Sequence, residues 1–326
     1  MKIVLDISHI ADNNFLQHRV RGAGFYVNNL VESLRKYFPQ NEYLLIERGQ
    51  KFPKDIDLAH YPYFEPFSLS LPFFKKLPTI VTVHDLTPLV FPEQFPRGIR
   101  GEIKWQRQKL ALKNSDAIIT DSKNSKKDIV KFAGISSEKI HVIYLASGTE
   151  FGVIKDTTIL QSIRIKYQLP EKFVLYVGDV TWNKNLPRLI KAMERIELPL
   201  VMVGKALVNT DFDKSNPWNR DLMEVQNLAR NNYKIIRLGF VPTEDLVRIY
   251  NLATVFTMPS IYEGFGLPVL EAMSCGVPVV TSKEGSLREV VGNAACFIDP
   301  LDVDSIVKAM KEVINSEKLA KELSEK

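Results

Sequence analysis

Short apolar, β-branched runs alternate with longer stretches of helical period along the whole chain. This alternation predicts parallel sheets covered by helices. In the first half the strand-like runs are residues 2–7, 43–47, 56–60, 79–84, 117–120 and 141–144. Between the first two, Leu30, Val31, Leu34, Tyr37 and Phe38 recur at the spacing of one helix face. Ser122 offers an N-cap for a helix running toward Ala133.

A second series opens at residues 173–178 and continues through 200–204, 235–238, 254–258, 277–281 and 295–298. Helical patterns near 186–196, 244–252, 267–274 and 303–314 separate these runs. The stretch 146–155 has mixed polarity, two glycines and no clear period, so it marks the expected boundary between a domain of residues 1–153 and one of residues 154–326. Two doubly wound α/β sheets in series place ligand crevices at the carboxyl ends of strands, and the residues just after strands are the ones to examine.

Length agrees with this division, since 326 residues is about twice a typical domain. No run approaches the roughly 18 apolar residues of a membrane span, and Asp6 interrupts the N-terminal apolar residues where a signal peptide needs its hydrophobic stretch. A cytoplasmic location is the resulting expectation. Cys275 and Cys296 are too few for a disulfide framework, and both are expected to be buried. The net charge of +5 is unevenly spread: residues 97–131 hold ten basic and four acidic side chains. That is a local patch, not the signature of a nucleic-acid-binding protein.

The segment Pro259-Ser260-Ile261-Tyr262-Glu263-Gly264-Phe265-Gly266-Leu267-Pro268 follows an expected strand and reaches a proline suited to a first helical turn. The amides of Phe265, Gly266 and Leu267 would then stand at a helix N-terminus, a ready anion site. Glu263 lies in the loop and Glu271 one turn into the helix. A carboxylate accepts from both hydroxyls of a vicinal diol, so an anion site flanked by two such acceptors describes a sugar diphosphate. The alternative is a plain turn, with Glu271 facing the helix dipole and Glu263 solvated. After the 173–178 run, Gly178 lets the backbone approach a ligand closely, and Lys184 is a mobile point charge suited to phosphate. In the first half, Gly22 and Gly24 lie between strand and helix, and His84 ends a strand. Asp211 and Asp213 spell D-x-D in a polar stretch away from any strand end, and no metal role is expected of them.

In the context EGFGLPVLEAMSCGVPVV, Glu263 and Glu271 form an E-x7-E pattern that resembles the retaining glycosyltransferases of family GT4. The resemblance implies the GT-B fold, two Rossmann-like domains facing a central cleft. It implies that Glu263 contacts the transferred sugar, that Glu271 holds the nucleotide ribose and that Lys184 meets the diphosphate. Gly22 and Gly24 resemble the family's glycine loop, which faces the diphosphate from the other domain. His84, in a His-Asp-Leu segment, resembles the histidine near the reactive carbon, and backbone near Val241 resembles the base-binding turn. One departure stands out: the family often has an arginine where this chain has Asn183, leaving Lys205 or Arg21 to supply the charge.

The expected activity is retaining transfer of a hexose, mannose or glucose, from a GDP- or UDP-sugar to a glycan or lipid-linked acceptor. No metal or other cofactor is expected. A nucleotide-sugar 2-epimerase is the rival enzyme. A non-catalytic nucleotide-sugar-binding partner of a transferase is the other rival, motivated by Asn183 and by relatives that usually continue past a position like Lys326 with a helix returning to the first domain. Arg100, Lys104 and Arg107 fall on one helical face beside Ile103 and Leu110, so peripheral contact with an anionic membrane is a further expectation, a solvated helix face being its alternative.

Overall fold

The computed structural model describes residues 1–8, 22–47, 49–73 and 75–326, and the chain divides into two compact units, Met1–Tyr144 and Leu145–Lys326. The division falls before residue 153, and the reason is local. Phe151 and Ile154 pack on the core of the second unit. Asn251 holds the same stretch: its Oδ1 accepts from the Ile154 amide at 2.7 Å, and its Nδ2 donates to the Gly152 carbonyl at 2.9 Å.

The first unit contains β1 (Lys2–Asp6), β2 (Glu42–Ile46), β3 (Leu58–Tyr61), β4 (Thr79–Thr82), β5 (Ala117–Thr120) and β6 (Ile140–Val142). They pair in parallel in the order β2-β1-β3-β4-β5-β6. The order reverses between β1 and β3, where a doubly wound sheet opens its crevice. The expected strand 79–84 stops at Thr82. The Val83 amide still bonds the Ile119 carbonyl at 2.9 Å, and His84 lies just past the ladder. Gly22 and Gly24 belong to the first turn of the helix Gly22–Tyr37, not to a loop ahead of it. Ser122 caps its helix as expected, its hydroxyl accepting from the Ser125 amide at 2.9 Å.

The second unit contains β7 (Val174–Val177), β8 (Leu200–Val203), β9 (Ile235–Gly239), β10 (Val255–Met258), β11 (Val279–Ser282) and β12 (Cys296–Ile298), in the order β12-β11-β10-β7-β8-β9 and again all parallel. Helices cover both faces of this sheet, and every residue of β7, β8, β10 and β11 is buried, as their continuous apolar runs require. Alternation along β7 sends Val174 and Tyr176 into one core layer and Leu175 and Val177 into the other. Cys275 is buried, whereas Cys296, near the edge of the sheet, is only partly so. The helix Arg220–Ala229 has no counterpart among the expected elements, because the polar stretch before it hides its start.

Candidate functional site

In the second unit the chain builds outward from β7 to β9 and then returns to lay β10 on the other side of β7. The loops after β7 and β10 therefore meet at the reversal. Gly178 leaves β7 where a Cβ would lie 2.6 Å from the Tyr176 hydroxyl oxygen, so a side chain there would have to displace the buried Tyr176 ring. Two asparagines then join the loops. Asn183 Nδ2 donates to the Tyr262 carbonyl at 2.9 Å, and its own carbonyl accepts from the Ile261 amide at 2.7 Å. Asn185 Nδ2 donates to the carbonyls of Pro259 at 3.0 Å and Pro300 at 2.6 Å. Held between them, Lys184 reaches across the reversal, its Nζ 2.8 Å from each carboxylate oxygen of Glu263. The pair is largely buried, which strengthens it electrostatically and makes each charge costly to leave alone.

The backbone of Glu263 is fixed from a third loop, after β11. The Ser286 amide donates to the Glu263 carbonyl at 3.1 Å, and the Ser286 hydroxyl lies 3.0 Å and 2.9 Å from the carbonyls of Glu263 and Phe265. Gly285 has φ +62, and a Cβ there would stand 2.6 Å from the Glu263 carbonyl oxygen. Gly266, at φ +99, turns the chain into the helix Leu267–Ser274 and contributes no side chain to cap it. Phe265 is buried ahead of this turn, and Leu267 opens the helix.

Glu271 sits one turn into that helix and accepts from the buried Tyr250 hydroxyl at 2.8 Å. Burial pushes its carboxyl up to about 7, the Tyr250 hydrogen bond pulls it down, and the charge of Glu150 pushes it up again. Val241 is a core residue, so a nucleobase contact there would go through the backbone. Asp211 and Asp213 lie exposed, the Asp213 carboxylate accepting from the amide and hydroxyl of Ser215 at 2.8 Å and 2.6 Å. Lys205 is exposed in a short turn after β8, and Arg21 lies outside the described residues.

The first unit has its own cluster at the carboxyl ends of β3, β4 and β5. His84 Nδ1 and Asp121 Oδ2 are 2.6 Å apart. The Tyr26 ring meets the imidazole edge-on, with centroids 4.7 Å apart. Thr82 Oγ1 links His60 Nε2 at 2.9 Å to the Tyr26 hydroxyl at 3.2 Å. Burial alone would push the imidazole of His84 down. The charge and hydrogen bond of Asp121, with Asp85 and the Pro62 carbonyl, outweigh it and hold His84 above the ordinary histidine value. His60 goes the other way, lowered to about 4 by burial and by the charge of His84.

Sequence reasoning passed over Asp121 and His60, although both stand at or just after a strand end, where crevice residues collect. Asn185, Tyr250, Gly285 and Ser286 left no local signal. His9 and His18 lie outside the described residues. Asn183 is buried and fully engaged with the neighbouring loop, so the departure from arginine serves the loop's architecture.

Residues 161–326 match the family described as glycosyl transferases group 1, and residues 10–147 match glycosyltransferase family 4. The serotype-specific mannosyltransferase WbdA of Escherichia coli is 31% identical over 75% of this chain and 30% of its own length. The O-antigen chain mannosyltransferase B of Escherichia coli is 34% identical over 70% of this chain and 58% of its own. The chain thus spans between about a third and three fifths of these curated relatives. Sucrose-phosphate synthase from Thermosynechococcus elongatus superposes with a TM-score of 0.78 at 20% identity, covering 99% of this chain and 92% of that one, which shows the shared GT-B fold. Two doubly wound sheets, with a lysine and a glutamate brought together at the reversal of the second, are thus matched by the family assignment of each half: the chain belongs to the group 1 glycosyltransferases.

Proposed function

We propose that the chain transfers a hexose, with mannose favoured by its relatives, from a nucleoside diphosphate sugar to a glycan acceptor with retention of anomeric configuration. The second unit takes the donor, and the first takes the acceptor. The observation that carries this reading is the meeting of Lys184 with Glu263 at the reversal of the second sheet, next to the N-terminus of the helix that bears Glu271.

Breaking the bond to a nucleoside diphosphate develops positive charge on the anomeric carbon and negative charge on the leaving phosphate. A diphosphate brought to this loop takes Lys184 as its counter-charge, with the helix N-terminus as a second source of positive potential. Glu263, released from Lys184, then accepts from sugar hydroxyls, and Glu271 accepts from the ribose diol. In the first unit, His84 is the group that meets a sugar, with Gly22 and Gly24 in the first turn of the helix whose Tyr26 packs on its ring. Lys184 and the helix N-terminus neutralise the leaving group without a metal ion.

The test is a thermal-shift screen of GDP- and UDP-hexoses, followed by product analysis with and without acceptor. Stabilisation by one nucleotide class, and release of nucleoside diphosphate that depends on acceptor, are expected. Sugar epimerisation without an acceptor would overturn the transferase reading.

The acceptor is proposed to be carried by a membrane. On the helix Gly98–Lys113, Ile99, Ile103 and Leu110 are 83%, 65% and 52% exposed, beside the exposed Arg100, Lys104 and Arg107. No described helix is long and apolar enough to cross a membrane. An amphipathic face of this kind rests on an anionic leaflet, each cation contributing on the order of 1 kcal/mol. Co-sedimentation with anionic but not neutral vesicles, lost in high salt and in the Ile103→Ser/Leu110→Ser variant, is expected. Equal recovery with both vesicle types leaves the face as a solvated helix surface.

A further inference from the structure

We propose that Asp121 is a positioning residue for His84, anchoring ring nitrogen Nδ1 so that the imidazole keeps both protons and presents Nε2–H as a donor to an oxygen of a sugar substrate. The inference rests on the transferase reading above.

Three observations carry it. Asp121 follows β5 and is 3% exposed, and the one described partner of its carboxylate is His84 Nδ1 at 2.6 Å, its Oδ1 having none. A buried carboxylate with a free oxygen is costly unless a cation faces it, and the protonated imidazole is that cation. The same segment also grips the His84 backbone, the Ser125 hydroxyl donating to the His84 carbonyl at 2.8 Å. Ring and backbone are thus fixed from one element. Finally, His84 Nε2 is buried with no hydrogen bond of ordinary geometry, the Pro62 carbonyl acting on the ring only weakly as the last of its influences, so the ring has a donor available once Nδ1 is tied to Asp121.

The surrounding elements support a charged ring. From the helix Gly22–Tyr37, the Tyr26 hydroxyl is pushed up to about 12 by burial and stays neutral. From β3, His60 is lowered to about 4 and is also neutral at physiological pH. Tyr63, on the loop after β3, is tilted toward the ring with centroids 6.2 Å apart. Asp85, next in the chain, adds a second negative charge, and Thr82 on β4 joins His60 to Tyr26. Among the described residues the charges facing His84 are therefore the carboxylates of Asp121 and Asp85.

A merely structural aspartate would affect folding alone, whereas a positioning aspartate sets the ring's proton. Side-chain nitrogen NMR of the full chain, with the His84 signals assigned by their loss in His84→Gln, reads that proton directly and needs no turnover. In the unmodified chain His84 should titrate above about 6.5, the ordinary histidine value. Asp121→Asn should lower the midpoint by about one unit, and Asp121→Glu should restore most of it. In kinetics, Asp121→Asn should lower kcat/KM roughly tenfold at pH 8 and much less at pH 6, because the alkaline limb moves down with the midpoint. An unchanged His84 midpoint in Asp121→Asn overturns the proposal. So does an ordinary midpoint in the unmodified chain, which is readable even where the variant folds poorly. A shifted midpoint in a protein without transferase activity would keep the pair and discard the transferase reading instead.

Discussion

Glu271 is held at a cost to stability, and Glu271→Gln exposes that cost. Its carboxyl is raised from 4.5 to about 7, first by burial and then by the charge of Glu150, against the opposing hydrogen bond from Tyr250. An acid whose folded value lies above its unfolded value binds more protons when folded. Stability is therefore highest below pH 4.5, falls as pH rises through the window from 4.5 to about 7, and bears the whole penalty above it. A shift of this size corresponds to about 3 kcal/mol as an upper bound, and partial solvent access halves it to about 1.5 kcal/mol. Glutamine keeps an oxygen to accept the Tyr250 hydrogen bond and carries no charge. The variant should then melt about 3–6 °C higher than the unmodified chain at pH 8 and alike at pH 4.5. Nucleoside diphosphate binding should weaken at pH 8, by about tenfold or more, since a neutral amide replaces the carboxylate proposed to accept from the ribose diol. Scanning calorimetry across pH 4.5 to 8 and titration calorimetry with UDP and GDP measure the two effects. A variant that is no more stable at pH 8 refutes the burial argument; one that binds nucleotide with unchanged affinity refutes the role given to Glu271.

Three further outcomes follow from the loops around Glu263. Gly285→Ala places a Cβ against the Glu263 backbone at φ +62 and should lower kcat by about tenfold or more while nucleotide affinity stays within a few-fold, measured by steady-state kinetics and titration calorimetry. Asn183→Ala leaves the Tyr262 carbonyl without its donor and should cost about 1–3 kcal/mol in denaturant unfolding. Asn183→Arg should lower the melting temperature and leave turnover no higher; a gain in kcat would show that the position needs a cation. Turnover should persist in excess EDTA, and loss on chelation that added Mg²⁺ or Mn²⁺ restores would give Asp211 and Asp213 a metal-binding role.

The chain's own pattern determined its fold class and the loop residues that stand at the reversal of the second sheet. Buried parallel strands must be continuous apolar runs, because both faces are covered, and such runs stand at β7, β8, β10 and β11 with ends within one or two residues of expectation. The segment from Glu263 to Glu271 was legible because strand, glycine turn and helix start are local events in φ/ψ and capping. Partners are not local. Lys184 and Glu263 lie 79 residues apart, His84 and Asp121 37 apart, and Tyr250 and Glu271 21 apart. Each pair meets because of strand order or helix packing, which hydrophobic period does not encode. The same holds for Gly285, whose missing Cβ matters only because the loop after β11 lies against the backbone of Glu263, and for Asn183, whose amide has a task only once the loops of β7 and β10 are neighbours. Sequence therefore determined which residues stand at strand ends. Tertiary structure decided which of them touch, what charge each can hold, and why Glu271 is raised, since desolvation and Coulomb forces depend on distance through space.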